Sequence, residues 1–465
     1  MKYVSTRGEA PVLGFSDALL AGLARDGGLY LPEEFPQFSA DEIRSLRGKT
    51  YAEIAIHVLT PFIAGDIHQA DFEAMVHEAY ATFRHEAVCP LVQTGHNEFV
   101  LELFHGPTLA FKDVAMQLLA RLMDYSLARR GERATIVGAT SGDTGGAAIE
   151  AFANRDRTDM FILFPHNRVS PVQQRQMTTS AASNVHALAI DGNFDDCQSL
   201  VKGMFNDLNF RDALSLSGVN SINWARIMPQ IVYYFTSALS LGAPNRPVSF
   251  SVPTGNFGDI FAGYVAKRMG LPIERLAIAT NDNDILARTL ETGNYETRGV
   301  VHTTSPSMDI QVSSNFERLL FEAHGRDAAS VRRLMDGLKQ SGSFSIAEKA
   351  LGFIRSEFDA GRSSKAETTG VIASVLKQSG YLLDPHSAIG LKVAREVLRS
   401  TAPSVVLATA HPAKFPDAVK EASGVHPDLP LWLGDLMQRK EQYTVLPNDL
   451  KNVEEYVSRH SRAAK

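Results

Sequence analysis

Residues 134–148 combine an apolar run with a turn of small residues and read Ala134-Thr135-Ile136-Val137-Gly138-Ala139-Thr140-Ser141-Gly142-Asp143-Thr144-Gly145-Gly146-Ala147-Ala148. The run is typical of a buried strand, and the turn is typical of a strand that passes directly into a helix. Similar apolar runs recur at Met160–Phe164, Val185–Ile190, Val248–Val252, Leu276–Thr280 and Val405–Thr409. Apolar strands that alternate with helical stretches indicate parallel sheets covered on both faces. We therefore predict an α/β fold with two open, mainly parallel sheets and helices on both faces of each.

The composition excludes several classes of protein. The chain has 465 residues, 44% hydrophobic and 21% charged, with a formal net charge of -6 and no basic run. This weak acidity argues against nucleic-acid binding. The N-terminus lacks the apolar region of a secretory signal, and no apolar run approaches the ~20 residues that span a bilayer. The two cysteines, Cys89 and Cys197, suit neither a disulfide framework nor a metal site. We expect a cytoplasmic protein without a metal, a membrane or an obligate protein partner.

The N-terminal part of the chain differs from the rest. Residues 1–85 carry amphipathic helical patterns, such as Phe15–Leu23 and Ala52–Ile63, and no Gly-rich strand-to-helix turn. We predict three units: a mostly helical extension over 1–85, an α/β region of two lobes over 86–430 with the site between them, and a tail over 431–465 packed on that region. The charged, Ser- and Thr-rich stretch Asp359–Thr369 is predicted to be an irregular connection.

One lysine lies among apolar and small residues, in the stretch Leu103-Phe104-His105-Gly106-Pro107-Thr108-Leu109-Ala110-Phe111-Lys112-Asp113. Burial disfavours the charged form of a lysine and lowers its pKa, which leaves the neutral amine that a carbonyl-binding nucleophile requires. Lysine is seldom fully buried, so a role for Lys112 at the surface, at the end of a helix, is the open alternative.

Two turns after predicted strands are candidate anion sites, because open parallel sheets bind ligands beyond the carboxyl ends of their strands. The turn over 138–148 offers main-chain amides and a helix N-terminus, although Asp143 as an ordinary helix cap is the alternative. The second turn reads Val252-Pro253-Thr254-Gly255-Asn256-Phe257-Gly258-Asp259-Ile260. It is not a Walker A loop, but its amides can hold one phosphate. A lone Gly-x-x-Gly is a weak signal, so a plain turn also stays open.

Further candidates are polar residues near these turns. Asn223 and Arg226 are three residues apart; at helical spacing they would present an amide and a guanidinium on one face, a pair suited to a phosphate. An arginine in a surface ion pair is the alternative. For His105 and His386, a structural hydrogen bond and a proton-transfer role are both open.

These motifs, in this order, resemble those of the threonine synthases. The lysine motif over 105–113, the turn Ser141–Gly145 and the loop Gly255–Asp259 match the family, as does the short segment Ser305–Ile310. The segments Lys2–Gly8 and Asp26–Pro32 resemble the N-terminal extension of its longer members, which cysteine synthases and threonine dehydratases lack. The resemblance extends from Lys2 to about Phe415.

The resemblance implies the tryptophan synthase β-like fold, fold type II of the enzymes that use pyridoxal 5′-phosphate (PLP). The implied enzyme is a carbon-oxygen lyase that makes L-threonine and phosphate from O-phospho-L-homoserine and water by γ-elimination and β-addition, the last step of threonine biosynthesis. Lys112 would form the Schiff base with PLP and act as the base. The cofactor would also be held by Gly255, Asn256, Phe257, Gly258, Asp259 and Thr409. The substrate would be bound by Thr140, Ser141, Gly142, Asp143, Thr144, Asn223 and Arg226, with help from Lys267 if it reaches the cleft.

Two alternatives are open at this point. Another PLP enzyme of the same fold, such as a serine/threonine dehydratase or a cysteine synthase, would keep Lys112 and the phosphate loop. It would not need the N-terminal extension or a second phosphate site. A non-catalytic homologue, acting as a binding module, would be expected to lose the lysine or a loop glycine, and neither is lost here.

Overall fold

The computed structural model describes residues 1–140 and 142–463. Its strands are β1 (Tyr3–Ser5), β2 (Tyr30–Pro32), β3 (Leu91–Gly95), β4 (Glu98–Glu102), β5 (Ala134–Ala139), β6 (Thr158–Pro165), β7 (Val185–Asp191), β8 (Leu216–Ser217), β9 (Val248–Pro253), β10 (Ile273–Thr280), β11 (Asn294–Glu296), β12 (Ser343–Ser345), β13 (Phe358–Arg362), β14 (Ser404–Ala408) and β15 (Thr444–Pro447). Its helices are α1 (Phe15–Ala21), α2 (Ala40–Ser45), α3 (Tyr51–Ile63), α4 (Gln69–Tyr80), α5 (Lys112–Arg130), α6 (Asp143–Phe152), α7 (Pro171–Thr178), α8 (Phe194–Asn206), α9 (Leu208–Ala213), α10 (Trp224–Ile227), α11 (Ile231–Ser240), α12 (Gly258–Arg268), α13 (Ile285–Thr292), α14 (Phe316–Ala323), α15 (Ala328–Ser341), α16 (Glu348–Glu357), α17 (Lys365–Ser379), α18 (Pro385–Val397), α19 (Pro416–Ser423) and α20 (Leu450–His460).

Two larger sheets form the α/β region. One has six strands in the order β13-β10-β9-β14-β4-β3, and the other has five in the order β15-β7-β6-β5-β8. All neighbouring strands in both sheets are parallel except β3 and β4. The predicted α/β class with two mainly parallel sheets is confirmed.

Helices cover both faces of the six-stranded sheet. Side chains alternate along β10: Leu276 and Ile278 lie in the large core cluster that includes α12, whereas Ala277 and Ala279 pack with Ile389 of α18. Alternate residues of a strand point to opposite faces, so both faces of this strand are dry. This burial explains why the strands read as continuous apolar runs rather than as alternating patterns.

The N-terminal extension packs its helices on the α/β region. Helix α3 begins at a capping box between Thr50 and Glu53 and contacts α11, while α4 contacts α5. Strands β1 and β2 pair antiparallel. The adjacent Arg7 binds Glu317 of α14 at 3.0 Å. The predicted helical extension is confirmed, and a small two-stranded sheet accompanies its helices.

The prediction of an irregular connection over Asp359–Thr369 is wrong. Residues 358–362 form β13, whose backbone pairs with β10, and α17 begins at Lys365 behind the N-cap Ser364. An edge strand pairs on one side only and needs no continuous apolar run. Its Asp359 also binds Arg275 through two hydrogen bonds of 2.8 and 2.7 Å. A charged sequence therefore fits this strand.

The C-terminal part of the chain joins the five-stranded sheet. Strand β15 pairs parallel with β7, and α20 packs against α8. The boundaries predicted at 85/86 and 430/431 stay a prediction. Within the part of the chain that the structure describes, no helix is long and apolar enough to cross a membrane.

Candidate active site

Lys112 is the first residue of α5, and its side chain is only 11% exposed. Its Nζ atom lies 3.5 Å from Oδ2 of Asp143 and 4.9 Å from the ring centre of Phe111. Burial lowers the pKa of Lys112; Asp143 opposes this effect, and the cations Lys414 and Arg226 add to it. The net result is a pKa below the ordinary lysine value, as the sequence predicts. Lys112 is therefore a buried amine with a raised population of its neutral form.

Asp143 is the anionic centre of the site. Its Oδ1 lies 2.9 Å from Nζ of Lys414 and accepts a hydrogen bond of 2.9 Å from Nε2 of Gln173. Its Oδ2 accepts a hydrogen bond of 3.2 Å from Oγ of Ser307. Burial alone would raise the pKa of Asp143, but the two lysines outweigh burial and hold the pKa far below its usual range. Asp143 is thus a carboxylate ion, and it is not the cap of α6.

The turn before α6 has another residue in the capping role. The Thr140 hydroxyl accepts hydrogen bonds from the amides of Gly142 at 2.9 Å and Gly145 at 3.0 Å. Among the described residues, no acceptor binds the amides of Asp143 and Thr144, which point out of the helix N-terminus. Two free amides and a helix dipole suit a carboxylate group. The predicted ligand Ser141 lies outside the described residues.

The loop between β9 and α12 approaches its surroundings closely. A side chain at Gly255 would meet the carbonyl oxygen of Ser307 at 2.7 Å, and one at Gly258 would meet Ile227 at 3.1 Å. Phe257 adopts a left-handed conformation with φ of 62°, which is strained for a residue with a side chain. The loop leads Gly258 into the first turn of α12, whose amides have no intrahelical acceptor. This geometry suits the binding of one phosphate by main-chain amides.

Other side chains fix this loop from outside. Asn315 donates from its backbone amide and from Nδ2 to the carbonyl oxygen of Asn256, at 3.0 and 2.9 Å. Asp259 accepts hydrogen bonds from the hydroxyls of Tyr233 and Tyr234. Burial raises the pKa of Asp259 to about 7, even though these hydroxyls and Lys112 lower it. Among the described residues, its Oδ2 has no hydrogen-bond partner.

These parts converge on one cleft. Lys112 contacts Asp143, Asp143 contacts Ser307, and the carbonyl oxygen of Ser307 lies against Gly255. On the other side, the amide of Phe111 donates to the carbonyl oxygen of Thr409 at 2.9 Å. Thr409 follows the last residue of β14 and is buried. The lysine, both turns and the end of β14 therefore surround the same space.

Asn223 and Arg226 are both buried, but only Arg226 lies within a helix. Asn223 precedes the four-residue helix α10 as its N-cap; its Oδ1 accepts from the amide of Ala225, and its Nδ2 donates to the carbonyl oxygen of Leu19. Arg226 donates to the carbonyl oxygen of Val219 at 2.6 Å. Its buried Nε has no partner among residues 1–140 and 142–463. Burial lowers the pKa of Arg226 to about 10, so it remains a cation.

Three further candidates lie apart from this cleft or are already bonded. Lys267 forms an ion pair with Glu357 at 2.6 Å, about 14 Å along α12 from Gly258 at 1.5 Å per residue. It does not reach the cleft. His105 binds Glu102, and His386 binds Asp384, each at 2.7 Å. Both histidines have structural hydrogen bonds in the fold.

Comparison with known proteins gives related families for the N-terminal, central and C-terminal parts of the chain. Three family profiles match: "Threonine synthase N terminus" over residues 2–80, "Pyridoxal-phosphate dependent enzyme" over 89–410, and "Threonine synthase, C-terminal" over 387–457. The threonine synthase of Pseudomonas aeruginosa is 56% identical, with 100% of each chain covered.

Two solved structures support the same relationship. The chain is 80% identical to a PLP-bound threonine synthase from Brucella melitensis, with a TM-score of 0.98 and coverage of 99% of this chain and 100% of that one. It is 39% identical to the threonine synthase of yeast, with a TM-score of 0.94 and coverage of 99% and 98%.

The residues of the cleft fit PLP. The close backbone approach at Gly255 and the free amides of α12 suit its phosphate, and the desolvated amine of Lys112 suits its aldehyde. Because PLP has a single phosphate, the amides at the N-terminus of α6 remain for another anion. From its sequence, its fold and this cleft together, we conclude that the chain belongs to the threonine synthase family of PLP-dependent enzymes.

Proposed function

We propose that the protein converts O-phospho-L-homoserine and water into L-threonine and phosphate, by γ-elimination followed by addition of water at Cβ. The observation that carries this proposal is the buried guanidinium of Arg226, whose Nε has no partner among the described residues and whose charge lowers the pKa of Lys112. It offers a second phosphate receptor, separate from the amides of the Gly255–Asp259 loop. We further propose that the protein acts on this small molecule in the cytoplasm, without an obligate protein partner.

The cofactor is proposed to be held at three points. The amides of the Gly255–Asp259 loop and of the first turn of α12 would bind its phosphate. Lys112 would hold its aldehyde carbon, and the hydroxyl of Thr409 would meet its ring nitrogen. A neutral hydroxyl leaves that nitrogen largely unprotonated, which moderates the ring as an electron sink. Asn315 supports this arrangement, because it bonds the backbone of Asn256 twice.

The substrate carboxylate is proposed to bind at the N-terminus of α6. The amides of Asp143 and Thr144, which have no acceptor among the described residues, would donate to it. Gly142 would allow its approach, and Thr140 would hold the turn in shape. Ser141 is proposed as a further donor on the basis of the family motif. The carboxylate of Asp143 cannot itself bind the substrate carboxylate, because like charges repel; it faces the lysines instead.

The substrate phosphate is proposed to bind Arg226. A guanidinium presents a planar fork of donors, and the unpaired Nε of Arg226 is one member of that fork. Asn223 is proposed as a partner, although its amide already bonds Leu19 and Ala225. Its remaining Nδ2 hydrogen is the only donor of that side chain left for a phosphate, since an amide has two donors.

The proton transfers are assigned to Lys112. PLP, when bound, withdraws electrons from the substrate carbons next to the amino group. The amine of Lys112, kept neutral by burial, would take protons from Cα and then from Cβ. Arg226 would remain bonded to the phosphate while the bond between Cγ and oxygen breaks. The buried walls around Lys112 limit the access of water to the amine while it carries protons.

The test is incubation of the PLP-loaded protein with O-phospho-L-homoserine, with phosphate and L-threonine measured together. We expect equal amounts of the two products. L-serine and L-threonine, supplied in parallel, should give no 2-oxo acid. Formation of 2-oxo acid without phosphate release from O-phospho-L-homoserine would overturn the proposal in favour of a dehydratase.

A further inference from the structure

Lys414 is a fully buried lysine close to the candidate site, with 0% of its side chain exposed. Its Nζ contacts three acceptors: the carbonyl oxygen of Thr108 at 2.7 Å, Oε1 of Gln176 at 2.9 Å and Oδ1 of Asp143 at 2.9 Å. The contacts with Thr108 and Gln176 are hydrogen bonds, and the contact with Asp143 is an ion pair. The buried charge of Lys414 is therefore compensated by one carboxylate and two further acceptors.

The partner of Lys414 also faces the reactive lysine. Asp143 has Lys414 on its Oδ1 at 2.9 Å and Lys112 on its Oδ2 at 3.5 Å. A buried carboxylate beside a single amine would stabilise that amine as an ammonium ion, since opposite charges within ~4–6 Å favour the charged forms. An ammonium ion can neither attack a carbonyl carbon nor remove a proton. Without Lys414, Asp143 would therefore raise the pKa of Lys112 and offset part of the effect of burial.

We propose that Lys414 is a positioning residue that neutralises the charge of Asp143, so that the nitrogen of Lys112 is not held in its protonated form. Asp143 then orients Lys112 through the contact at 3.5 Å without binding its proton. This inference rests on the proposed function, in which Lys112 holds the cofactor and moves protons. The proposal gives a role in the site to Lys414, which is 302 residues from Lys112 in the sequence.

Other charged and titratable groups face this set from each packed element. Arg226 of α10 and Asp259 of α12 act on Lys112. The charge of Lys414 lowers the pKa of Asp113 of α5 and of His411 in the turn after β14. Both carboxylate oxygens of Asp113 accept hydrogen bonds from Thr108, at 2.7 Å each. Burial lowers the pKa of His411 to about 4, so this histidine is neutral near pH 7.

The test uses the visible absorption of the PLP-loaded protein as a function of pH, without substrate. The midpoint of that absorption change reports protonation of the Lys112 nitrogen. We expect Lys414→Met to raise the midpoint by about one unit or more, because Asp143 then acts on Lys112 unopposed. Lys414→Arg keeps the cation and should leave the midpoint near that of the wild type. The acid limb of the kcat/KM profile should shift in the same directions.

Two further variants keep the test decisive if Lys414→Met fails to fold. Asp143→Asn leaves Lys414 without its counter-charge and should lower the midpoint by about one unit or more. The double variant Lys414→Met with Asp143→Asn removes both charges and should return towards the wild-type midpoint. Lys392→Met, which breaks ion pairs with Glu367 and Glu396, is the matched control and should not move it.

Unchanged midpoints in Lys414→Met and Asp143→Asn would overturn the inference and leave Lys414 with a structural role only. Because no substrate is present, this result is independent of the proposed reaction. If the wild type does not convert O-phospho-L-homoserine but the midpoints shift as expected, the proposed function fails and the role of Lys414 stands.

Discussion

Arg318 donates from Nε and Nη2 to the carbonyl oxygen of Tyr30, at 3.1 and 2.7 Å, across a sequence separation of 288 residues. The same guanidinium bonds the carbonyl oxygen of Ile222 and the side chain of Asn315, which in turn holds Asn256. Arg318 thereby connects the N-terminal extension, the segment before Arg226 and the loop proposed to bind the cofactor phosphate.

Because of this connection, we predict that Arg318→Gln lowers both the stability of the fold and the retention of PLP. The carbonyl groups of Tyr30 and Ile222 would lose their donors, and each buried unpaired group costs ~1–3 kcal/mol. We expect the thermal midpoint to fall by several degrees and PLP to dissociate faster on dialysis. Arg333→Gln is the control, because Arg333 is exposed and, within residues 1–140 and 142–463, its side chain donates a hydrogen bond to Ser330 alone. Equal losses in the two variants would contradict the linking role of Arg318.

Gly255→Ala is predicted to weaken PLP retention. The added methyl group would meet the carbonyl oxygen of Ser307 at 2.7 Å, so the loop or the Ser307 segment must shift. The affinity for PLP should fall at least about tenfold, which corresponds to ~1.4 kcal/mol, as measured by titration of the cofactor-free protein. Gly370→Ala is the matched control, because nothing lies within 4 Å of its added methyl group. Unchanged affinity in Gly255→Ala would remove the loop from the phosphate site.

Arg226→Lys is predicted to impair turnover while PLP stays bound. A charge-assisted hydrogen bond is worth ~1.5–3 kcal/mol, so kcat/KM should fall about tenfold to a hundredfold. Lysine cannot reproduce the planar fork, and part of the loss should appear in kcat because the phosphate leaves during the reaction. Steady-state kinetics and an absorption spectrum check this. If the variant has the kinetics of the wild type, Arg226 does not bind the substrate phosphate, and its hydrogen bond to Val219 is purely structural.

Lys112 is predicted to carry the cofactor covalently. Borohydride reduction of the PLP-loaded protein should attach a pyridoxyl group to the peptide that contains Lys112. Lys112→Ala should lose turnover by several orders of magnitude, since the base and the covalent anchor are removed together. The label is located by mass spectrometry of a digest. A label on Lys414 instead would exchange the roles of the two buried lysines.

From the raised pKa of Asp259, we predict that the stability of the cofactor-free protein depends on pH. Burial raises its pKa from 3.8 to about 7, so between these values the folded chain binds a proton that the unfolded chain releases. Stability from this group is present below pH 4 and is lost as the pH rises to 7. Relative to Asp259→Asn, the wild type should therefore lose roughly 2–4 kcal/mol across this window. Denaturant unfolding at several pH values measures it; a constant difference would contradict the prediction.

The sheets and the burial of Lys112 could be predicted from the sequence for a physical reason. Strands buried on both faces, such as β6, must be apolar along their whole length, so they are easy to find. The edge strand β13 has only one fully buried residue among its five, so it carries charged residues and its sequence looks like a loop. Lys112 could be singled out because its neighbours in sequence are apolar and small and match the family motif.

Residues whose partners are distant in sequence could not be predicted in this way. Lys414 and Ser307 gain their roles from contacts with Asp143, and Asn315 gains its role from Asn256. Nothing local marks them, although the segments that contain Ser307 and Lys414 resemble the family. The spacing of Asn223 and Arg226 suggested a shared helical face. The helix starts one residue after Asn223, so the side chain of Asn223 caps it.

The position of β14 has a consequence for how the chain is made. This strand lies between β9 and β4 in the six-stranded sheet, yet it is translated long after both. Until it emerges, the nascent chain exposes two unpaired strand edges, which invite pairing with other chains. Thr409 and Lys414 follow β14 directly. Late synthesis of one strand therefore delays both protection from aggregation and assembly of the cleft until residues 404–414 have been made.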